Sequence, residues 1–169
     1  MLLHLSLPNY LAQWYAHECR REAIPDADTY TPVPYHYPDP VLPIRGSAES
    51  AILALYLTKQ PDNPTPPSPD ATIALLLPSF RNRDTRIYSY LPPAAVILLA
   101  DTIRTRFQIA LWRDIHTLNT AFTRKDLALT AWMELHAIEF NDTNYNSVLK
   151  IYDRTRDAYR HSLNRRKKK

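Results

Sequence analysis

Residues 92–122, PPAAVILLADTIRTRFQIALWRDIHTLNTAF, decide the fold of this chain. Apolar side chains recur every three to four positions along most of the stretch, which is the periodicity of a helix with a buried face. The proline pair at its start suits a first helical turn, where a missing N–H costs nothing. The pattern predicts either one long helix or two helices separated by a bend, and in both cases a helical core.

Two further helices are predicted after this stretch. Residues Thr123–Asp126 have the form of a capping box with Asp in place of Glu, and they predict a helix at 124–138. The polar break EFNDTN follows, after which Asp142 or Thr143 can cap a last helix at 143–163. The helices from residue 94 onward would therefore form the core.

The first half of the chain predicts shorter elements that wrap this core. Five prolines interspersed with tyrosines and a histidine at 23–40 are typical of an extended arm packed on a body, and five more prolines lie in an exposed loop at 60–70. Strands at 71–78 and 86–91 flank a polar turn and predict a hairpin. The other predicted elements are a helix at 9–22, a short strand at 41–45 and a helix at 46–59 with Gly46 as N-cap.

These elements predict a mainly α (α+β) fold. It would be a single helical domain with a small two- to three-stranded antiparallel sheet and proline-rich arms. The globular domain would span 1–163, with loop 60–70 exposed, and 164–169 would form a flexible basic tail.

The composition excludes several classes of protein. The chain has one glycine and fifteen prolines, where average usage predicts about a dozen glycines. P-loops, dinucleotide fingerprints and nucleophile elbows need several glycines, so none can occur in standard form. A single cysteine, Cys19, rules out an intrachain disulfide and any multi-cysteine zinc site. The apolar N-terminal stretch is interrupted by Pro8 and is too short for a signal peptide or a membrane span, so we expect a cytoplasmic protein without membrane contact.

Charge is distributed unevenly along the chain. The net charge is +4, but residues 1–142 carry −3 and residues 143–169 carry +7. An acidic body with one strongly basic end predicts a polyanionic partner.

The basic end also carries the pattern of a nucleic-acid interface. The helices at 124–138 and 143–163, joined by a short turn, are compatible with a helix-turn-helix, whose second helix carries base-contacting side chains. Arginine forks suit guanine and phosphate, asparagine amides suit adenine, and an uncompensated cationic tail gains from counterion release. The alternatives are a solvated helix face neutralised by Asp153 and Asp157 and a tail that only solubilises. The candidate nucleic-acid-binding residues are Asn144, Asn146, Lys150, Arg154, Arg156 and Arg160 on the helix, Arg165, Arg166, Lys167, Lys168 and Lys169 in the tail, and Arg81, Arg83 and Arg86 at the predicted hairpin tip.

Patterns for catalysis or metal binding are weak. His17 and Cys19 are two residues apart on a helix and would point to different faces. A second acidic and histidine-containing group straddles a helix end, and its spacing matches no known metal site; it consists of Glu134, His136, Glu139 and Asp142. We therefore expect a non-enzymatic protein with no catalytic residues, no cofactor and no metal.

Several segments carry a resemblance to a known group of proteins. They are LPIRGSAESAILALYLTK, FRNRDTRIYSYLPP, RFQIALWRDI and AWMELHAIEFNDTNYNSVLKIYDR. Over most of 40–160 the chain resembles small uncharacterised proteins carried by prophages and integrated mobile elements of gut anaerobes. The resemblance implies a cytoplasmic accessory protein of a mobile element. It implies no activity, ligand or site residue.

The sequence thus predicts a non-catalytic nucleic-acid-binding protein, with duplex DNA as the favoured partner and a homodimer as a compatible state. The alternative is a protein–protein adaptor or structural component of a phage or mobile element. In that case the Tyr/Pro arm at 30–40 and the loop at 60–70 would form the contact surface, and the basic tail would be incidental.

Overall fold

The computed structural model describes residues 1–24, 30–62, 68–80, 84–118 and 124–166. These residues form five helices and five short strands. In chain order the elements are β1 (Leu2–Leu5), α1 (Asn9–Glu22), β2 (Pro40–Val41), α2 (Ala48–Tyr56), β3 (Thr58–Lys59), β4 (Ile73–Leu76), β5 (Tyr88–Tyr90), α3 (Pro93–Leu118), α4 (Lys125–Leu135) and α5 (Asp142–Arg166).

Helix α3 is the central element of the core. It runs unbroken from Pro93 to Leu118, which decides between the two predicted arrangements in favour of one long helix. The Phe107 ring on its inward face lies 5.3 Å from the ring centres of Tyr10 and Trp14 on α1, and 5.6 Å from that of Trp132 on α4. α3 also contacts α2 and α5. One aromatic cluster therefore joins three of the helices. The buried stripe of α3 consists of Ala95, Leu99, Ile103, Phe107, Ala110, Leu111 and Ile115.

Strand β4 is the central strand of a three-stranded sheet in the order β1-β4-β2. β1 pairs with it antiparallel, with Leu2 opposite Leu76, and β2 pairs with it in parallel, with Val41 opposite Leu75. Strands β3 and β5 form a separate antiparallel pair. Three successive β4 residues, Ile73 to Leu75, are buried, and because successive side chains point to opposite faces, both faces of the strand are at least partly covered.

The predicted α+β class and single domain are confirmed, with three differences in the sheets. The larger sheet is mixed rather than antiparallel. The predicted hairpin is wrong, because the strands near 71–78 and 86–91 pair with different partners. The short strand predicted at 41–45 is only Pro40–Val41. Apolar patterns identify strands but not their partners. Leu5 lies opposite Ile73, 68 positions later, so this pairing depends on the folding of the whole chain.

Helix ends also differ from the predictions. Ser47, rather than Gly46, is the N-cap of α2, and its side chain accepts a hydrogen bond from the Ser50 N–H at 3.2 Å. Gly46 instead has a φ of +79° in the turn before it, a conformation that glycine adopts without strain. Helix α5 is capped by Asn141, whose Oδ1 accepts from the Asn144 N–H at 2.9 Å. α5 continues through Arg166, past residue 163, where the tail was predicted to begin.

The turn between α4 and α5 has a defined geometry. The Ile138 N–H donates to the Met133 carbonyl at 2.9 Å, and the Ala137 N–H donates to the Glu134 carbonyl at 3.1 Å. These two bonds form a Schellman motif, in which the residue after the C-cap is left-handed. Ala137 occupies that position with a φ of +52°. The motif turns the chain sharply just after His136, the C-cap residue of α4.

Candidate functional site

Helix α5 has a buried face and a solvent-facing stripe. Val148 and Tyr152 are buried against the core, and the Tyr159 ring lies 5.5 Å from that of Trp112 on α3. On the opposite side, successive turns of the helix expose four candidate residues. They are Asn146, Lys150, Arg154 and Arg160, and we call them the α5 stripe.

Asp153 and Asp157 of α5 are paired without using the cations of this stripe. Lys125 of α4 places its Nζ 3.0 Å from Oδ1 of Asp153, and Arg156 lies 3.3 Å from the same oxygen. Arg156 also contacts Asp157 at 3.3 Å. Among the described residues, no carboxylate lies within 4 Å of the Lys150, Arg154 or Arg160 cations, so three positive charges stay uncompensated on one face.

Two of the predicted contact residues have other roles. Asn144 is 2% exposed; its Nδ2 donates to the Glu139 carbonyl at 2.9 Å and faces Gln13 Oε1 at 3.4 Å. Asn144 therefore fastens the start of α5 to α1 and cannot contact a base. Arg156 is held between Asp153 and Asp157 and is not a free cation.

The burial of Asn144 also removes one of the base-contacting residues that the predicted helix-turn-helix docking would use. In that motif the first residues of the second helix enter the major groove. Here the start of α5 packs against α1, because Gln13 accepts from both the Glu139 N–H and the Asn144 side chain. The accessible part of α5 is its outward side and its C-terminal half, where residues 157–162 are all exposed.

The remaining candidates divide between the end of α5 and the segment before β5. Arg165 and Arg166 belong to the last turn of α5, so the backbone there is helical. Lys167, Lys168 and Lys169 lie outside the described residues, as do Arg81 and Arg83. Arg86 is exposed, and its backbone N–H donates to Asp84 Oδ1 at 2.9 Å in a local turn.

A second site, which the sequence reasoning missed, lies between α1 and the end of α4. His17, Glu18 and His136 are all buried, and one nitrogen from each imidazole and one Glu18 oxygen lie within 4.8 Å of one another. Glu18 Oε1 is 3.4 Å from Nδ1 of His17 and 3.3 Å from Nδ1 of His136. None of these contacts has the geometry of a regular hydrogen bond. We call these three residues the His–Glu–His cluster.

Charged groups surround this cluster. Arg21 donates to Glu18 Oε2 at 3.2 Å, and Asp114 Oδ2 lies 3.6 Å from Nε2 of His136. Burial alone would raise the pKa of Glu18. The imidazoles of His136 and His17 that face its carboxylate and the Arg21 charge outweigh burial, and they hold the Glu18 pKa well below its usual range. Glu18 is therefore a carboxylate at neutral pH.

The cluster combines one residue from each of the two groups weighed for metal binding in the sequence, His17 and His136, with Glu18, which was not weighed. His17 does join a candidate site, but with His136, which is 119 positions later, and not with Cys19. Cys19 is buried, and burial raises its pKa to about 12, so its thiol is unreactive. Glu134 and Glu139 are exposed on either side of His136. The only available signal in the sequence was a histidine adjacent to a glutamate on an otherwise buried helix.

Comparison with known proteins does not identify a family for this chain. No protein-family model matches it, and no curated protein or solved structure is significantly similar to it. Within the described ranges, no helix is both long enough and apolar enough to cross a lipid bilayer.

Proposed function

We propose that the protein is a non-catalytic nucleic-acid-binding protein, with duplex DNA as the favoured partner. The contact surface would be the α5 stripe together with the basic residues from Arg165 onward. A cytoplasmic location and an accessory role in a prophage or mobile element belong to the same proposal.

The observation that supports this function is the pairing of the α5 aspartates. The sequence allowed Asp153 and Asp157 to neutralise the cations of α5, which would have left a solvated face of little net charge. Lys125 and Arg156 satisfy these aspartates instead. Lys150, Arg154 and Arg160 therefore present uncompensated charge to a polyanion, on a rigid helix that leads directly into five further cations.

The arrangement favours contacts to phosphate over recognition of bases. Lys150 and Arg160 are ten residues apart, which separates their Cα atoms by about 15 Å along the helix. This spacing lets the stripe follow one backbone strand. With Asn144 buried, Asn146 is the one described asparagine of the original pair that can reach a base edge. We therefore expect affinity with little dependence on sequence.

The test is a binding titration with a fluorescently labelled mixed-sequence duplex and the matching single strand. Affinity would be measured at several salt concentrations between about 50 and about 200 mM. If all eight cations contact phosphates, the slope of log K against log salt approaches about −7, because each contact contributes about −0.9. A form that ends at Asn164 should lose up to about 4.5 of that slope and still bind.

Two outcomes would decide against parts of this proposal. If the intact protein shows no binding at the lowest salt, or binding that does not weaken as salt is raised, the proposed nucleic-acid binding is refuted. Equal affinity of the intact and shortened forms would refute the contribution of the tail and assign the interaction to the stripe alone.

A second candidate function, protein–protein interaction through the Tyr/Pro arm, is favoured by a groove. The groove has a volume of about 730 Å³ and lies between the arm and the α4–α5 turn, where Pro32, Pro34 and Phe140 contribute to its walls. Phe140 is 61% exposed, so a large apolar ring is accessible at the edge of the groove. Tyr35 anchors the arm, since its hydroxyl accepts from the buried Ala74 N–H at 3.1 Å. If this is the functional surface, Phe140→Glu should abolish capture of the partner and leave salt-dependent DNA binding unchanged.

A further inference from the structure

The His–Glu–His cluster places three metal-ligating side chains in the interior without regular hydrogen bonds. Both nitrogens of His17, both nitrogens of His136 and Glu18 Oε1 are buried and lack such partners. Buried polar groups are nearly always hydrogen-bonded, and an unpaired one costs on the order of 1–3 kcal/mol. Several such atoms lie in one place, and all of them belong to residue types that ligate metals, which is compatible with an ion bound among them.

We propose that His17, Glu18 and His136 bind a divalent transition-metal ion, with Zn²⁺ as the ion that best matches the donors. The distances agree with coordination. Two ligands bound at about 2.0–2.1 Å in a tetrahedral site lie about 3.3–3.4 Å apart. The Glu18 oxygen is 3.4 Å from His17 Nδ1 and 3.3 Å from His136 Nδ1. All three ligand atoms lie within 4.8 Å of one another, so the nitrogens of the two imidazoles need to approach by at most about 1.5 Å to reach this separation.

The surrounding residues orient these ligands as in known metal sites. A metal-binding histidine usually directs its second nitrogen at a carboxylate, which fixes the ring and raises its basicity. Asp114 lies on that side of His136: its Oδ2 is 3.6 Å from His136 Nε2, which is longer than a hydrogen bond, and it accepts from Trp132 Nε1 at 3.2 Å. Arg21 holds the other Glu18 oxygen at 3.2 Å, which leaves Oε1 directed at the imidazoles.

A cavity of about 480 Å³ lies next to the cluster. His17 forms part of its wall with Arg21 and Tyr30, whereas Glu18 and His136 do not line it. In the proposed site the ion, and a water molecule in the fourth coordination position, would reach the cluster from this side, past the His17 ring. Two imidazoles and one carboxylate with an open position are a donor set suited to Zn²⁺. Mg²⁺ and Ca²⁺ prefer all-oxygen sites, so they should bind poorly.

The test uses the full-length, untagged protein after removal of metal with a chelator. Calorimetric titration with zinc chloride should show one ion bound per chain, and titration with magnesium chloride should show none. His17→Gln, His136→Gln and Glu18→Gln should each weaken zinc binding by at least about 100-fold. His36→Gln is the matched control, because His36 is exposed on the arm, and it should bind zinc like the unmodified protein.

A second measurement on the unmodified protein keeps the test decisive if the buried variants fail to fold. X-ray absorption at the zinc edge should show two imidazoles and oxygen ligands, with no sulfur. Lack of stoichiometric zinc uptake, full affinity in His136→Gln, or a sulfur ligand would each overturn the proposal. None of these results bears on DNA binding by α5, so the two proposals fail separately.

Discussion

Replacing Phe107 with alanine should destabilise the protein by about 4–5 kcal/mol. Removing a fully buried phenylalanine side chain typically costs about 3–5 kcal/mol. Phe107 is 0% exposed and lies at the centre of three ring contacts, to Tyr10, Trp14 and Trp132. Each aromatic pair adds about 0.5–1.5 kcal/mol beyond area burial, which moves the expected loss to the upper end of that range.

The assay is equilibrium unfolding in urea, followed by tryptophan fluorescence and by far-ultraviolet circular dichroism. Two tryptophans touch Phe107, so the fluorescence reports directly on this cluster. Phe107→Leu, which keeps much of the volume, should cost only about 1–2 kcal/mol and gives a value if the alanine variant is already unfolded. Ile97→Ala is the matched control, because Ile97 is 63% exposed on the same helix, and its loss should change stability by at most about 0.5 kcal/mol. A loss below about 2 kcal/mol for Phe107→Ala, with an unchanged urea slope, would refute the central packing of α1, α3 and α4.

Three further predictions concern α4 and α5. Ala137→Gly should raise stability by about 0.5–1 kcal/mol, because glycine adopts the left-handed conformation without strain. Ala131→Gly, inside α4, should instead lower stability by about 1 kcal/mol. Thermal unfolding of the two variants tests this contrast. Asn144→Ala should destabilise the protein by about 1–3 kcal/mol, because buried hydrogen bonds are lost. The DNA affinity of the folded variant should change less than about twofold. A large, sequence-dependent loss of affinity would show instead that Asn144 contacts a base. Asp153→Asn should tighten DNA binding by about twofold, because a screened negative charge near the stripe is removed. The same change should lower the free energy of unfolding by less than about 1 kcal/mol. Weaker DNA binding would contradict the assignment of this face of α5 to DNA binding.

The helices were predictable from the sequence because their evidence is local. The apolar periodicity of 92–122 and the proline pair before it identified α3, and the polar break before Asp142 located the start of α5. The sheet was not predictable to the same extent. Which edge of β4 pairs with β1 and which with β2 depends on contacts far apart in the sequence, and the apolar pattern of β4 is the same for either pairing.

The same limit explains what the sequence missed at the two sites. The pairing of Asp153 with Lys125 crosses from α4 to α5, so spacing within α5 alone could not show that the stripe stays charged. His136 meets His17 and Glu18 only because the Schellman motif at Ala137 ends α4 beside α1. Asn144 was predicted to contact nucleic acid because of its residue type, whereas its position on α5 places it against Gln13.

The salt dependence of DNA binding by a stripe variant tests the central claim most directly. The stripe variant carries Lys150→Gln, Arg154→Gln and Arg160→Gln, and the control variant loses the same charge from exposed positions elsewhere, by Arg45→Gln, Lys59→Gln and Arg104→Gln. Both variants keep the tail. The account predicts that the stripe variant loses up to about 2.7 of the slope of log K against log salt, while the control variant keeps the slope of the unmodified protein. Equal slopes for the two variants would contradict the claim that α5 is the binding surface.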